Sequence, residues 1–151
     1  MDIDKLKEKV LALVPEAEPE ENKQFLTFFI PEEKAHDLAL RLKNDEELAF
    51  DYLFCLTGVD MTKFFMVVYH LTSTIHEHCI VLKVKAENRE NPVVDTVCDI
   101  WRTAEFHERE AYDLLGIRFN NHPDMRRIFL EENWVGYPLR KDYTDEVNII
   151  E

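Results

Sequence analysis

Three carboxylates, Glu108, Glu110 and Asp113, crowd one short stretch and are interleaved with Arg109. Clustered acids shift one another's pKa, so this set could in principle supply a general acid and a general base. No nucleophile, Gly-rich loop or cofactor motif accompanies it. Arg126, Arg127, Arg140 and Lys141 follow within reach of a folded chain, and acids beside arginines commonly form structural ion pairs. Pairing is therefore the favoured account, with no catalytic, cofactor-binding or metal-binding residues assigned. His76 and His78 form an HxH that could ligate a metal, but a hairpin or strand start without a third ligand nearby in sequence is a poor metal site. His107 and His122 are expected on an exposed helix face and in a turn, the latter held by Pro123.

The element that carries the acids is a helix from about Ala104 to Leu115, stopped by Gly116. At 100° per residue, Ala104, Ala111, Leu114, Leu115 and Tyr112 share one arc, and Glu108 lies among them, so it points toward the core. Glu105, Arg109, Asp113 and Glu110 take the opposite arc, where Phe106 would be a lone water-facing ring unless a partner covers it. Glu105 and Arg109 are expected to pair at i,i+4, worth about 0.3 kcal/mol if exposed.

Upstream, the apolar spacing of Ile3, Leu6, Val10, Leu13 and Val14 predicts a helix over 3–14, ended by Pro15, with an acidic turn over 16–22. Residues 25–30 read as a strand, and Pro31-Glu32-Glu33 opens a helix carrying Ala35, Leu38, Ala39 and Leu42. Apolar runs at 48–57, 64–71 and 78–85 read as strands, the last alternating through Ile80, Leu82 and Val84. Asn91-Pro92 is expected to start a helix with Val93, Val94, Val97, Ile100 and Trp101. The order implies an α+β fold, two layers with a largely antiparallel sheet covered by helices. Residues 1–116 form the core domain, and 117–151 an extended C-terminal docking arm of the same domain.

With 151 residues, 46% hydrophobic, the chain is long enough for one cored domain. A net charge of -13 repels phosphate backbones and anionic lipid, which argues against nucleic acid as a partner. Cys55, Cys79 and Cys98 are odd in number and lack CxxC spacing, as suits buried, reduced thiols. The acidic start is neither a signal nor a transit peptide, and no apolar run approaches the ~20 residues needed to span a bilayer. Membrane association is expected only through another protein.

The kind of charge changes along the chain. Residues 101–143 hold six Arg and one Lys against eight acids, whereas the remainder holds two Arg and nine Lys against 23 acids. The same tract holds eight of the 17 aromatics. Arginine and aromatic side chains are enriched at the buried centres of interfaces and lysine is depleted there, so the tract reads as a docking surface. The acidic remainder reads as a solvated face. Beyond Gly116, 27 residues up to Tyr143 show little periodicity, a length uncommon for a loop without a binding role. They are expected to pin to the domain at intervals, with Glu108, Glu110 or Asp113 among the acids their cations meet. His122 and Asp142 join this set of ion-pairing residues, and Phe106, Trp134 and Tyr137 are the candidate interface aromatics.

Glu108–Ile128, EREAYDLLGIRFNNHPDMRRI, followed by Trp134–Tyr143, WVGYPLRKDY, resembles the 30-kDa (C-type) subunit of respiratory complex I. Asp99-Ile100-Trp101 and the strand 78–85 are also similar; residues 1–47 agree in element order more than in letters. The chain departs from the family at Phe106, where Trp is common, at Leu115, where Phe is common, and at Arg102-Thr103, in place of Pro-Gly. The resemblance implies a non-catalytic hydrophilic subunit on the peripheral arm of an NADH:quinone oxidoreductase, on the cytoplasmic side of the bacterial inner membrane. It implies that the chain braces the D-type, B-type and I-type subunits, and that iron–sulfur clusters, FMN, NADH and quinone are held by partner subunits. The chain is expected to stand apart from the larger subunit to which this domain is sometimes fused. Related subunits serve NDH-type complexes, F420H2 dehydrogenases and membrane-bound hydrogenases. On this reading the acids could also tune the field near a neighbouring quinone or proton path.

Overall fold

A computed structural model of the chain describes residues 2–21 and 24–144. Asp2 opens the first helix, α1 (Ile3–Leu13), by accepting the Lys5 N–H at 2.9 Å, and Leu6 and Val10 are its buried residues. The acidic segment expected as a turn over 16–22 instead contains β1 (Glu18–Glu20), antiparallel to β2 (Thr27–Ile30); residue 22 lies outside the described residues. β1 is an edge strand, the position where Pro19 costs no ladder hydrogen bond and where charged side chains are tolerated. After Pro31, a 3-10 turn (Glu32–Lys34) leads into α2 (Ala35–Asn44), which buries Ala35, Leu38, Ala39 and Leu42.

Three strands follow: β3 (Tyr52–Asp60), β4 (Phe65–Ser73) and β5 (His78–Ala86). β3 starts later than the apolar run at 48–57 suggests. Asp45 Oδ1 accepts the N–H groups of Glu47 at 2.9 Å and Leu48 at 3.0 Å, holding a turn before the strand. The HxH motif fastens that turn. Ring nitrogens of His76 and His78 lie 2.8 and 2.7 Å from the carbonyls of Glu46 and Leu48, so these atoms donate to backbone.

The main sheet has the order β1-β2-β5-β4-β3. Three of its pairings are antiparallel, and β2 runs parallel to β5, so the sheet is mixed. Its inner face supplies Phe28, Leu53, Leu56, Val67, Leu71, Ile80 and Leu82 to the core shared with the helices. The three cysteines are free and half-buried rather than fully buried.

The helix expected from Asn91 does not form. Val93–Asp95 is a strand, β6, paired in parallel with β7 (Arg118–Asn120), and turns fill 98–103. β-branched Val93 and Val94 suit a strand, and the partner that makes one possible lies some 25 residues downstream, invisible to local periodicity. β7 also shows that the segment after Gly116 begins with regular structure. α3 (Ala104–Leu115) matches the expected bounds and packs on β3. A Cβ on Gly58 of β3 would lie 2.6 Å from Leu115 Cδ1 and 3.0 Å from Ile117 Cδ1, so glycine permits that close approach.

Candidate functional site

The structure gathers most of the candidate residues where α3 meets the segment after β7, as a clasp. Asp113 is fully buried at its centre. Its Oδ1 accepts from Arg127 Nη1 at 2.9 Å, while Oδ2 accepts three successive N–H groups, Ile128 at 3.2 Å, Phe129 at 2.7 Å and Leu130 at 3.1 Å. Consecutive amides around one carboxylate form an anion-binding nest. Burial pushes the Asp113 carboxyl up, but the Phe129 amide, Arg127 and the other two amides outweigh it, and its pKa falls below the ordinary value.

Arg127 joins the clasp at several points. It donates to the Asp113 carbonyl at 2.8 Å, to Trp134 O at 3.1 Å and to Gly136 O at 2.9 Å, and its Cζ lies 4.9 Å from the Tyr137 ring centroid. Arg109 does not pair with Glu105 as expected; it donates to the carbonyls of Arg126 at 3.1 Å and Arg127 at 2.9 Å. Two carbonyls in a covered site outcompete an i,i+4 pair worth only tenths of a kcal/mol. Arg109 and Asp113, expected on the open arc of α3, are thus buried because the arm covers that arc.

The arm's far end is fixed twice more. Leu139 N–H donates to Leu114 O at 2.9 Å, and Arg140 Nε donates to Leu115 O at 2.7 Å, its guanidinium lying 5.0 Å from Phe65 and 4.8 Å from Tyr137. Arg140 therefore satisfies a helix-terminal carbonyl rather than an acid. This crossing needs Gly116 at φ +80°, where a Cβ would meet Arg140 Nη2 at 2.6 Å and the Tyr137 ring at 2.8 Å. Asp60, absent from the sequence expectations, accepts both Nη groups of Arg89, at 2.6 and 2.9 Å, with the Lys141 N–H at 2.8 Å and the Thr62 N–H at 2.8 Å. The Arg89 guanidinium, against the opposing cost of burial, holds the Asp60 carboxyl far below the usual range. Lys141 thus contributes its backbone rather than its ammonium. Asp142 lies 3.3 Å from Arg89.

Other candidates take different places. Glu110 faces solvent. Arg126 is exposed and pairs with Asp124 at 2.9 Å, not with an α3 acid. Phe106, at 58% exposed, stays uncovered with Phe129, Val135 and Leu139 on the same helix and arm. Trp134 is half-buried, and its Nε1 has no hydrogen-bond partner among the described residues.

Glu108 is fully buried, as its place on the helix requires, and accepts from Thr96 Oγ1 and from Val97 N–H at 3.0 Å. Burial, reinforced by the Asp99 charge, raises its pKa to about 7 against the pull of these donors. The His122 side chain is also enclosed, contrary to expectation, with Nε2 3.8 Å from Glu108. One atom each of Cys98, Glu108 and His122 lie within 4.8 Å of one another, a juxtaposition that only the fold reveals. Their hydrogen bonds do not present a metal-ready donor set. His122 Nδ1 accepts the Asp124 N–H at 2.9 Å, so the ring proton sits on Nε2, donated to Glu105 O at 3.0 Å. The nitrogen nearest Glu108 therefore offers no lone pair.

Comparison with known proteins gives this geometry a family. The model of the respiratory-chain NADH dehydrogenase 30 Kd subunit matches residues 28–147. The NADH-quinone oxidoreductase C/D protein of Phocaeicola vulgatus is 50% identical over 120 residues, covering 79% of this chain and 23% of that protein. The C-type NADH-quinone oxidoreductase subunit of Geotalea uraniireducens is 42% identical over 142 residues, covering 92% of this chain and 84% of that one. The chain spans about a quarter of the C/D relatives and most of the Geotalea relative. Among solved structures, a chain of the membrane-bound sulfane sulfur reductase, an archaeal respiratory membrane complex, superposes with a TM-score of 0.74 at 25% identity, covering 93% of this chain and 85% of that one. The acid-Arg-acid helix and the arm fastened to it both lie inside the matched residues, and the chain belongs to the respiratory-chain NADH dehydrogenase 30 Kd subunit family.

Proposed function

We propose that this chain is a peripheral, hydrophilic subunit of an NADH:quinone oxidoreductase, one that positions its neighbours and leaves redox chemistry to them. The observation that carries this reading is the clasp. Asp113 is saturated by one guanidinium and three amides, so it anchors the arm rather than exchanging protons with a substrate. The anchored arm and α3 then hold Phe106, Phe129, Val135 and Leu139 toward solvent, and apolar side chains held outward on a fixed surface favour a protein partner. The D-type subunit is the first partner, because Phocaeicola vulgatus carries a protein whose name joins C and D. B-type and I-type subunits complete the contact, with iron–sulfur clusters, FMN, NADH and quinone in those and other partner chains. The complex sits on the cytoplasmic side of the bacterial inner membrane; no helix among the described residues is long and apolar enough to cross it.

Likeness to the sulfane sulfur reductase chain favours a second reading within the same role, a position in a related respiratory complex with a different electron donor. Purification of the intact complex through a tag on this chain tests both. NADH-dehydrogenase subunits among the co-purifying proteins support the first, and another donor module supports the second. Phe106→Asp with Phe129→Asp should leave the isolated chain folded while the D-type subunit no longer co-purifies. Undiminished recovery of that subunit would refute the docking role, and stoichiometric iron or flavin in the chain purified alone would refute the absence of a redox centre.

A further inference from the structure

The sheet has a second face, turned away from the helices, and it is not the polar surface that a two-layer fold needs only for solubility. Across β2, β5, β4 and the β3–β4 turn runs an open groove of about 740 Å³. Phe29, Ile30, Pro31, Met61, Phe64 and Met66 supply its apolar lining, Met61 exposed and Met66 almost fully buried beneath it. Three adjacent strands at ~4.8 Å spacing give a floor ~10 Å wide, the width of one α-helix. Methionine and aromatic side chains together make an adaptable apolar floor.

The charge around this floor is one-sided. Glu16, Glu18, Glu32, Glu33 and Glu87 line the groove against only Lys83 and Lys85. Lys83 is paired with Glu20 at 2.8 Å and lies 5.7 Å from the Phe29 ring centroid, and Lys85 lies 4.9 Å from the Phe64 ring centroid, so the two lysines offset only part of the charge of the five glutamates. A Glu16 oxygen is buried without a hydrogen bond, 3.7 Å from Arg41. Burial, then the nearby Glu87 carboxylate, pushes the Glu32 carboxyl up, with Glu33 and Asp95 adding to the effect. With five glutamates against Lys83, Lys85 and the nearby Arg41, the rim keeps a net negative charge.

We infer that this groove docks a basic amphipathic helix of another polypeptide, its apolar side on Phe29, Phe64, Met61 and Met66 and its Lys or Arg residues over Glu16, Glu18, Glu32, Glu33 and Glu87. The acidic rim excludes phosphates and anionic lipid as occupants. None of these residues belongs to α3 or the arm, so the inference goes beyond the proposed function and fails or stands independently of it.

The test uses the full chain with methyl-13C methionine and an 18-residue Leu/Lys helical peptide as probe, beside a Leu/Glu peptide of the same pattern. The Leu/Lys peptide should shift the Met61 and Met66 methyls and leave Met125, an arm residue packed against the core, unmoved. Glu33→Lys with Glu87→Lys should weaken binding by about tenfold. Glu131→Lys with Glu132→Lys makes the same change in net charge on the arm and should weaken it less than twofold. Equal weakening by both pairs, equal binding of the Leu/Glu peptide, or unmoved groove methyls would overturn the inference. In the intact complex, a benzophenone side chain at Phe64 should cross-link to a basic amphipathic segment of a neighbouring subunit; no cross-link there, or one to an acidic segment, would likewise overturn it.

Discussion

Asp113→Ala removes the acceptor for four donors at once, and three of them are arm amides with no replacement partner among the described residues. Breaking a buried ionic group from one side costs about 3–5 kcal/mol, because what remains is desolvated and unpaired. Arg127→Met should cost less, since the carboxylate keeps its three amides while Trp134 O and Gly136 O lose a donor. In Asp113→Ala with Arg127→Met, part of the damage is shared, and the double variant should fall short of the sum by about 1–3 kcal/mol. Urea unfolding measures the global change, and trypsin cleavage after Arg126, a bond present in every variant, measures release of the arm. A 3 kcal/mol loss corresponds to roughly a hundredfold faster cleavage when opening and closing are fast. Asp113→Ala within 1 kcal/mol of wild type, or an additive double variant, would refute the view that the nest and Arg127 act as one unit.

Glu108 gives a prediction in pH. Its folded pKa of about 7 stands above the ordinary 4.5, so the stability it contributes is complete below pH 4.5 and is lost as pH rises through 7. The loss approaches about 3 kcal/mol, and urea unfolding of wild type and Glu108→Gln from pH 4.5 to 8 should show the difference between them moving by that amount; a constant difference would contradict it. Gly116→Ala forces a side chain into a left-handed backbone and against Arg140 and Tyr137, and thermal unfolding should report a loss of about 1–3 kcal/mol. Arg89→Met leaves Asp60 with two amides and no cation. It should loosen residues 141–142 and speed amide exchange at Lys141, whose N–H donates to Asp60; unchanged exchange would argue against the latch.

Helices α1 and α3 were legible because their apolar positions recur at the helical period, and the placement of Glu108 followed from the same geometry. Alternation at Ile80, Leu82 and Val84 likewise gave the strand and its inward face. What failed was set by partners distant in the chain. Val93 and Val94 fit a helix pattern until β7 supplies a parallel neighbour, and Pro19 reads as a turn until β2 makes its segment an edge strand. Arg109 illustrates the same limit for the site. Its sequence neighbour Glu105 offered a pair, but the carbonyls of Arg126 and Arg127, brought across by the arm, offered a drier and better one. Asp60 and Arg89 lie 29 residues apart with no local pattern to link them. Cys98, Glu108 and His122 come together only in three dimensions.

The amides of Ile128, Phe129 and Leu130 have their acceptor in a helix that ends 13 residues earlier, not in a ladder of their own. Such a segment has no shape to adopt until α3 is already wound and seated on β3. Refolding should then be sequential, with recovery of helical ellipticity preceding the change in Trp134 emission, read in a Trp101→Phe variant, that reports closure of the arm.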